Sequence, residues 1–176
     1  MATSLYDFSV GTYKRILKAT SGFMAKAREH FESNDTDLQE IVETRLHPDM
    51  MPFHFQIVSV VHHSNGAING LAAGEFSPPS FAIDKSFEEL ESMVEDALAN
   101  LESITEDDID SYHDKEILFK IGERSMPFNA EHFLMSFSMP NFYFHATTAY
   151  DILRMKGAPL GKRDFMGKMV TKTIGE

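Results

Sequence analysis

The sequence predicts an all-α chain: a four-helix bundle with a short extra helix and a small β-hairpin before the last long helix. Three observations point to the bundle. Four stretches carry apolar residues at three- and four-residue spacing over several turns. Residues that start and stop helices punctuate those stretches. The single segment with strand character, residues 116–128, is short and folded about a glycine.

The first helix is expected over residues 9–31, with Val10, Tyr13, Ile16, Leu17 and Met24 on its apolar face and Gly22 as a weak point. Ser33, Asn34 and Asp35 break it. Thr36 and Gln39 have capping-box spacing and open a short helix reaching about Leu46. His47, Pro48 and Asp49 turn the chain. Pro52 suits the first turn of a second long helix, lined by Phe53, Ile57, Val61, Ile68 and Leu71 and ending near Gly74.

Residues 76–84 read as a loop marked by Pro78 and Pro79. Ser86 and Glu89 form a second capping box, and Phe87, Leu90, Val94, Leu98 and Leu101 give a third amphipathic helix. Residues 116–121 and 126–128 pair as a hairpin, with Pro127 confining the second strand to an edge. Asn129 caps a fourth helix that runs to Lys156 and stops at Gly157. Pro140 lies inside it, removes one backbone hydrogen bond and frees the carbonyl of Ser136, so a kink or break is expected.

At 176 residues the whole chain, 1–176, is read as one domain with a tail over about 158–176. It has no cysteine, which excludes a disulfide scaffold, thiolate metal ligands and a cysteine nucleophile. The formal charge of −11, without a basic patch, argues against nucleic acid as a partner. The acidic stretches 88–102 and 106–114 read as a solvated helix face and a loop. Lys162 and Arg163, beside Asp164, form a short basic cluster expected to meet the acidic third helix. No apolar run approaches the ~20 residues needed to span a bilayer. The N-terminus lacks the apolar segment of a signal peptide, and a cytoplasmic protein is expected.

Chemistry concentrates in residues 140–154. At helical spacing Asn141, His145 and Thr148 share one stripe, which Leu134 and Ile152 continue on either side. A polar trio inside an apolar seam needs partners or a purpose. Eight histidines raise the question of a metal, although no His-x-x-x-His pair occurs; Asn141 and His145 have that spacing with an amide in place of one imidazole. On the second helix His54 and His62 lie about 12 Å apart along the axis, too far to hold one ion together. His62 with Asn141 and His145 is geometrically permitted, and a buried polar network is the competing use of the same residues. His30, His47, His113 and His132 need no role beyond helix ends and turns. Ser136, Ser138 and Thr147 lack a base-and-orienter pair, and the glycines at 157, 161 and 167 follow no strand, so neither a nucleophilic triad nor a phosphate loop is expected.

The blocks PNFYFHATTAYDILR (140–154) and GKRDF (161–165), with LHPDM (46–50) and Gln56, resemble a bacterial and fungal family of unknown function among the DinB/YfiT-like metalloenzymes. The resemblance runs from Tyr6 to Phe165. It implies a dimeric bundle with long crossovers, and in better-studied relatives a divalent metal held by three histidines. Some of those relatives are thiol-dependent transferases using bacillithiol, mycothiol or glutathione. Carried onto this chain, the ligands would be His62 and His145, with Asn141 or His63 third, and the ion zinc, nickel or iron. Gln56, Asn141, Tyr143 and Thr148 would line the pocket. Asn141 departs from the pattern, standing where a histidine is expected. The function implied is metal-dependent transferase or hydrolase chemistry with a small-molecule or thiol cosubstrate. The alternative is a non-catalytic ligand-binding or dimeric interaction module without a metal.

Overall fold

The computed structural model describes residues 3–81 and 85–171; the ends of the expected loop, at 82–84, and of the tail, at 172–176, lie outside them. A π-helical turn over Asp7–Gly11 leads into α1 (Thr12–Ser33), followed by the short α2 (Leu38–Val42). The second long stretch is α3 (Phe53–Val61), a π-turn over His62–Gly66, and α4 (Ala67–Ala73). β1 (Glu75–Phe76) precedes α5 (Phe87–Glu102) and α6 (Glu106–Asp110). β2 (Glu116–Ile121) and β3 (Arg124–Asn129) form the hairpin. The last stretch is α7 (Ala130–His132), a π-turn over Phe133–Ser138, and α8 (Met139–Met155), with α9 (Lys162–Met166) closing the fold.

The long helices surround one core because each buries an apolar stripe against two others. α1 packs on α5 and α8, and α3 packs on the same two. Tyr13 of α1 meets Phe142 of α8 edge-on at 4.9 Å, and Phe53 of α3 stacks on Phe87 of α5 at 5.6 Å. Around this core the acidic face of α5 meets the bases of α1, with Arg28 on Glu91 at 2.9 Å and Lys18 on Glu102 at 2.7 Å. The cluster at residues 162–164 is not bound to that face as expected: Asp164 pairs with Lys26 of α1 at 3.3 Å.

The fold is mostly helical, yet a three-stranded sheet replaces the lone hairpin. β1 runs parallel to β2, pairing Glu75 with Leu118 and Phe76 with Phe119. A two-residue strand carries no periodicity, so the pattern could not announce it. Pro127 sits on the edge strand β3, where its missing N–H is harmless. The acidic stretch after α5 holds a helical turn, started by a capping box between Thr105 and Asp108. Asp37, not Thr36, caps α2, accepting from the Gln39 N–H at 2.9 Å, and α2 ends at Val42, short of Leu46. Pro52 is the N-cap of α3, with extended backbone.

The three π-turns among the described residues all lie inside otherwise continuous helices. Pro140 falls at the second residue of α8, directly after the widened turn. The irregularity expected from its missing N–H is that wide turn, which relieves the crowding a proline imposes on the turn before it.

Candidate functional site: a histidine cluster where two π-turns meet

Gln56 and His63 are seven residues apart, so they share one face of their helical stretch to within about 20°. α8 lies across that face and supplies His145. Gln56 is 2% exposed and fully engaged: its Nε2 donates to the Met51 carbonyl at 2.7 Å, and its Oε1 meets His145 Nδ1 at 2.8 Å. An amide whose nitrogen donates elsewhere offers only its oxygen, so Nδ1 of His145 carries the proton. In the neutral ring the lone pair then sits on Nε2. Burial, with His62 adding to it, lowers the pKa of His145 to about 4.

His63 lies parallel to His145, with ring centroids 5.9 Å apart and planes within 8°. It is 6% exposed, and burial together with His62 and His145 lowers its pKa to about 3. Its Nδ1 is buried and meets no hydrogen-bond partner among the described residues. A buried polar atom left without a partner costs about 1–3 kcal/mol. His62 lies outside this pair. Its Nε2 donates to the Ser77 carbonyl at 2.7 Å and its ring stacks on Phe76 at 4.3 Å; burial lowers its pKa too.

The floor beneath the pair joins the two π-turns. Ser138 Oγ donates to the His63 carbonyl at 2.6 Å, and Tyr13 then donates to Ser138 across 2.9 Å. Burial pushes the Tyr13 phenol well up, so it stays a donor. Aromatic rings form the walls: Phe76 and Phe137 beside His63, Phe55 and the exposed Phe144 beside His145. Phe76 can lie so close to α4 only because residue 70 is glycine; a Cβ there would come within 2.9 Å of its ring.

Of the polar trio read from the sequence, only His145 reaches across to another element. Asn141 Nδ2 donates to the Phe137 carbonyl at 2.7 Å and Thr148 Oγ1 to the Phe144 carbonyl at 2.8 Å, each one turn back on its own helical stretch. Tyr143 turns toward α1, where its hydroxyl stands 3.5 Å from Arg15 Nη2. Of the residues expected to line a pocket, Asn141 and Thr148 thus bond to their own helical carbonyls and Tyr143 reaches Arg15, while Gln56 meets His145 beside His63. Sequence reasoning ranked His62 above His63, although the seven-residue step from Gln56 already placed His63 on the inner face. Nothing in the pattern marked Tyr13 and Ser138 as partners across 125 positions.

The donor set can be tested against a divalent ion. Two neutral, desolvated imidazoles, His63 and His145, are the right kind of ligand for zinc, nickel or iron. A catalytic zinc centre takes three protein ligands. Here His62 spends Nε2 on Ser77, and no three His, Asp or Glu side chains among the described residues converge to hold a metal. The two imidazoles fit the expected metal in kind, and no third histidine or carboxylate among the described residues joins them.

Among the described residues no helix is long and apolar enough to cross a membrane. No curated protein matches the chain significantly. Among solved structures, a DinB family member protein from Shewanella denitrificans is similar at 25% identity and a TM-score of 0.79, over 96% of this chain and 95% of that one. The fold is therefore DinB-like. The family model described as "Domain of unknown function (DUF1993)" matches residues 5–166. That match covers nearly the whole sequence, and the chain belongs to the DUF1993 family.

Proposed function

We propose that this chain is a DinB-like four-helix bundle that binds a small molecule at the His145–His63 pair, with His145 Nε2 as the hydrogen-bond acceptor. The observation that carries the reading is the chain of bonds from the Met51 carbonyl through Gln56 to His145 Nδ1. It orients the ring and fixes which nitrogen is bare, as a supporting residue does for a base or a ligand-binding imidazole. Burial keeps that nitrogen unprotonated well below neutral pH. A neutral acceptor flanked by Phe55 and Phe144 suits a hydroxyl or thiol on an apolar body. A thiol matches the cosubstrates that the superfamily resemblance implies.

The test is a thermal-shift screen of apolar thiols and alcohols against protein stripped of metal, beside His145→Ala. Stabilisation of the metal-free protein that is lost in the variant is the expected result. Stabilisation that appears only after zinc, nickel or iron is added would replace this reading with the second one.

That second reading is a metal site using His63 and His145, favoured by the unpartnered Nδ1 of His63. About one metal per chain in protein purified without a tag, lost in both His63→Ala and His145→Ala, would establish it. A homodimer, implied by the family resemblance, is part of the proposal; the exposed Phe144 and Met155 on α8 would be covered in it. Sedimentation of wild type beside Phe144→Ser tests that arrangement.

A further inference from the structure

A second cleft, sharing no residue with the histidine cluster, lies between the N-terminal half of α1 and the segment that follows α9. It encloses about 820 Å³, within the range of small-molecule sites. Its far wall is built and not incidental. Arg15 Nη1 donates to the Met166 carbonyl at 3.1 Å and anchors the chain where it leaves α9. Gly167 then turns the chain back over α1 with φ +60°, and a Cβ there would stand 3.2 Å from that of Ala19. Only glycine meets both demands without displacement. Beyond it, Met169 and Val170 line the cleft while staying 63% and 96% exposed, an apolar surface that this wall leaves uncovered.

Charge distinguishes the cleft from the rest of the molecule. In a chain of net charge −11, its lining gathers Lys14, Arg15, Lys18 and Lys168 against Asp7. Glu102 offsets Lys14 and Lys18 from outside, so four cations less two acids leave an excess of two positive charges. Lys18 and Glu102 are both about half exposed, at 58% and 48%, and such pairs hold weakly, so an incoming anion can take Glu102's place at little cost.

We propose that this cleft binds a single-chain amphiphile with an oxyanion head, the head among Lys14, Lys18 and Lys168 and the apolar body along Met169, Val170 and Ala19. Carboxylate and phosphate monoester heads share this chemistry. Arg15 is tied into the wall through Met166 and Tyr143, so the head is assigned to the three lysines.

The experiment is titration of the full chain, followed by amide NMR, with decanoate, decyl phosphate, decanol and acetate. Saturable shifts at Lys14, Ala19, Gly167 and Val170 are expected with decanoate. Decanol and acetate, each carrying half of the recognition, should bind at least about tenfold more weakly. Lys14→Gln with Lys18→Gln should weaken decanoate about tenfold or more, and Lys168→Gln, on the exposed segment, should weaken it without touching the helical core. Decyl phosphate should bind about as tightly as decanoate, since lysines read charge and not head geometry, and binding of decyl phosphate without decanoate contradicts the assignment. Absence of saturable shifts, equal binding of decanol, or undiminished binding by both lysine variants overturns the proposal. His145→Ala should leave this binding unchanged, so its outcome is independent of the histidine site.

Discussion

His63 shows how one side chain can be read in free-energy terms. In an unfolded chain histidine titrates near 6.5, whereas burial holds His63 at about 3 and His145 at about 4. Between pH 6.5 and those values the unfolded chain takes up protons that the folded one refuses. Stability contributed by the neutral pair is therefore complete above about pH 6.5 and is lost as the pH falls, by up to about 1.4 kcal/mol per pH unit for each ring. Urea midpoints at pH 7 and pH 5 should show this decline. His63→Phe, which keeps the ring and deletes the unpartnered nitrogen, should reduce the decline and cost little at pH 7. Gln56→Leu should do harm at neutral pH by leaving His145 Nδ1–H without its acceptor, at about 1–3 kcal/mol in the same assay.

At the level of elements, the long helices were legible because amphipathic spacing and end signals agreed. Ser86 with Glu89 forms the capping box its sequence promised, and Asn129 caps its helix by accepting from His132 N–H. What was not legible is where three helical stretches widen. A π-turn adds no new residue type; it answers to packing, and only Pro140 hinted at one of the three. The candidate site was half legible for the same reason. Gln56 and His145 could be named from sequence, while Asn141 and Thr148 looked like site residues until their own helical carbonyls proved to hold them. The contact between α4 and β1 gives a sharp prediction. Gly70→Val must push Phe76 off the helix and with it the ring on which His62 stacks, lowering thermal stability and shifting the His62 and His63 ring resonances in NMR spectra.

For the whole molecule, the core outweighs the charged surface. Phe142 is fully buried against Tyr13, and Phe142→Ala should cost about 3–5 kcal/mol in urea denaturation. Lys18→Gln, which breaks an exposed pair with Glu102, should cost less than about 1 kcal/mol in the same assay. This difference explains why a chain so rich in acidic residues can leave most of them in solvent: the helices are held by their apolar faces. It also explains why the expected salt link from residues 162–164 to α5 was unnecessary, since α1 already supplies the bases for that face.

The most direct test of the central claim is long-range ¹H–¹⁵N NMR of the histidine rings in metal-free protein, followed from pH 7 to pH 4.5. The account predicts that His145 is protonated at Nδ1 and bare at Nε2 at pH 7, and remains largely neutral down to about pH 5. A ring protonated at Nε2, or one titrating near 6.5, would contradict it.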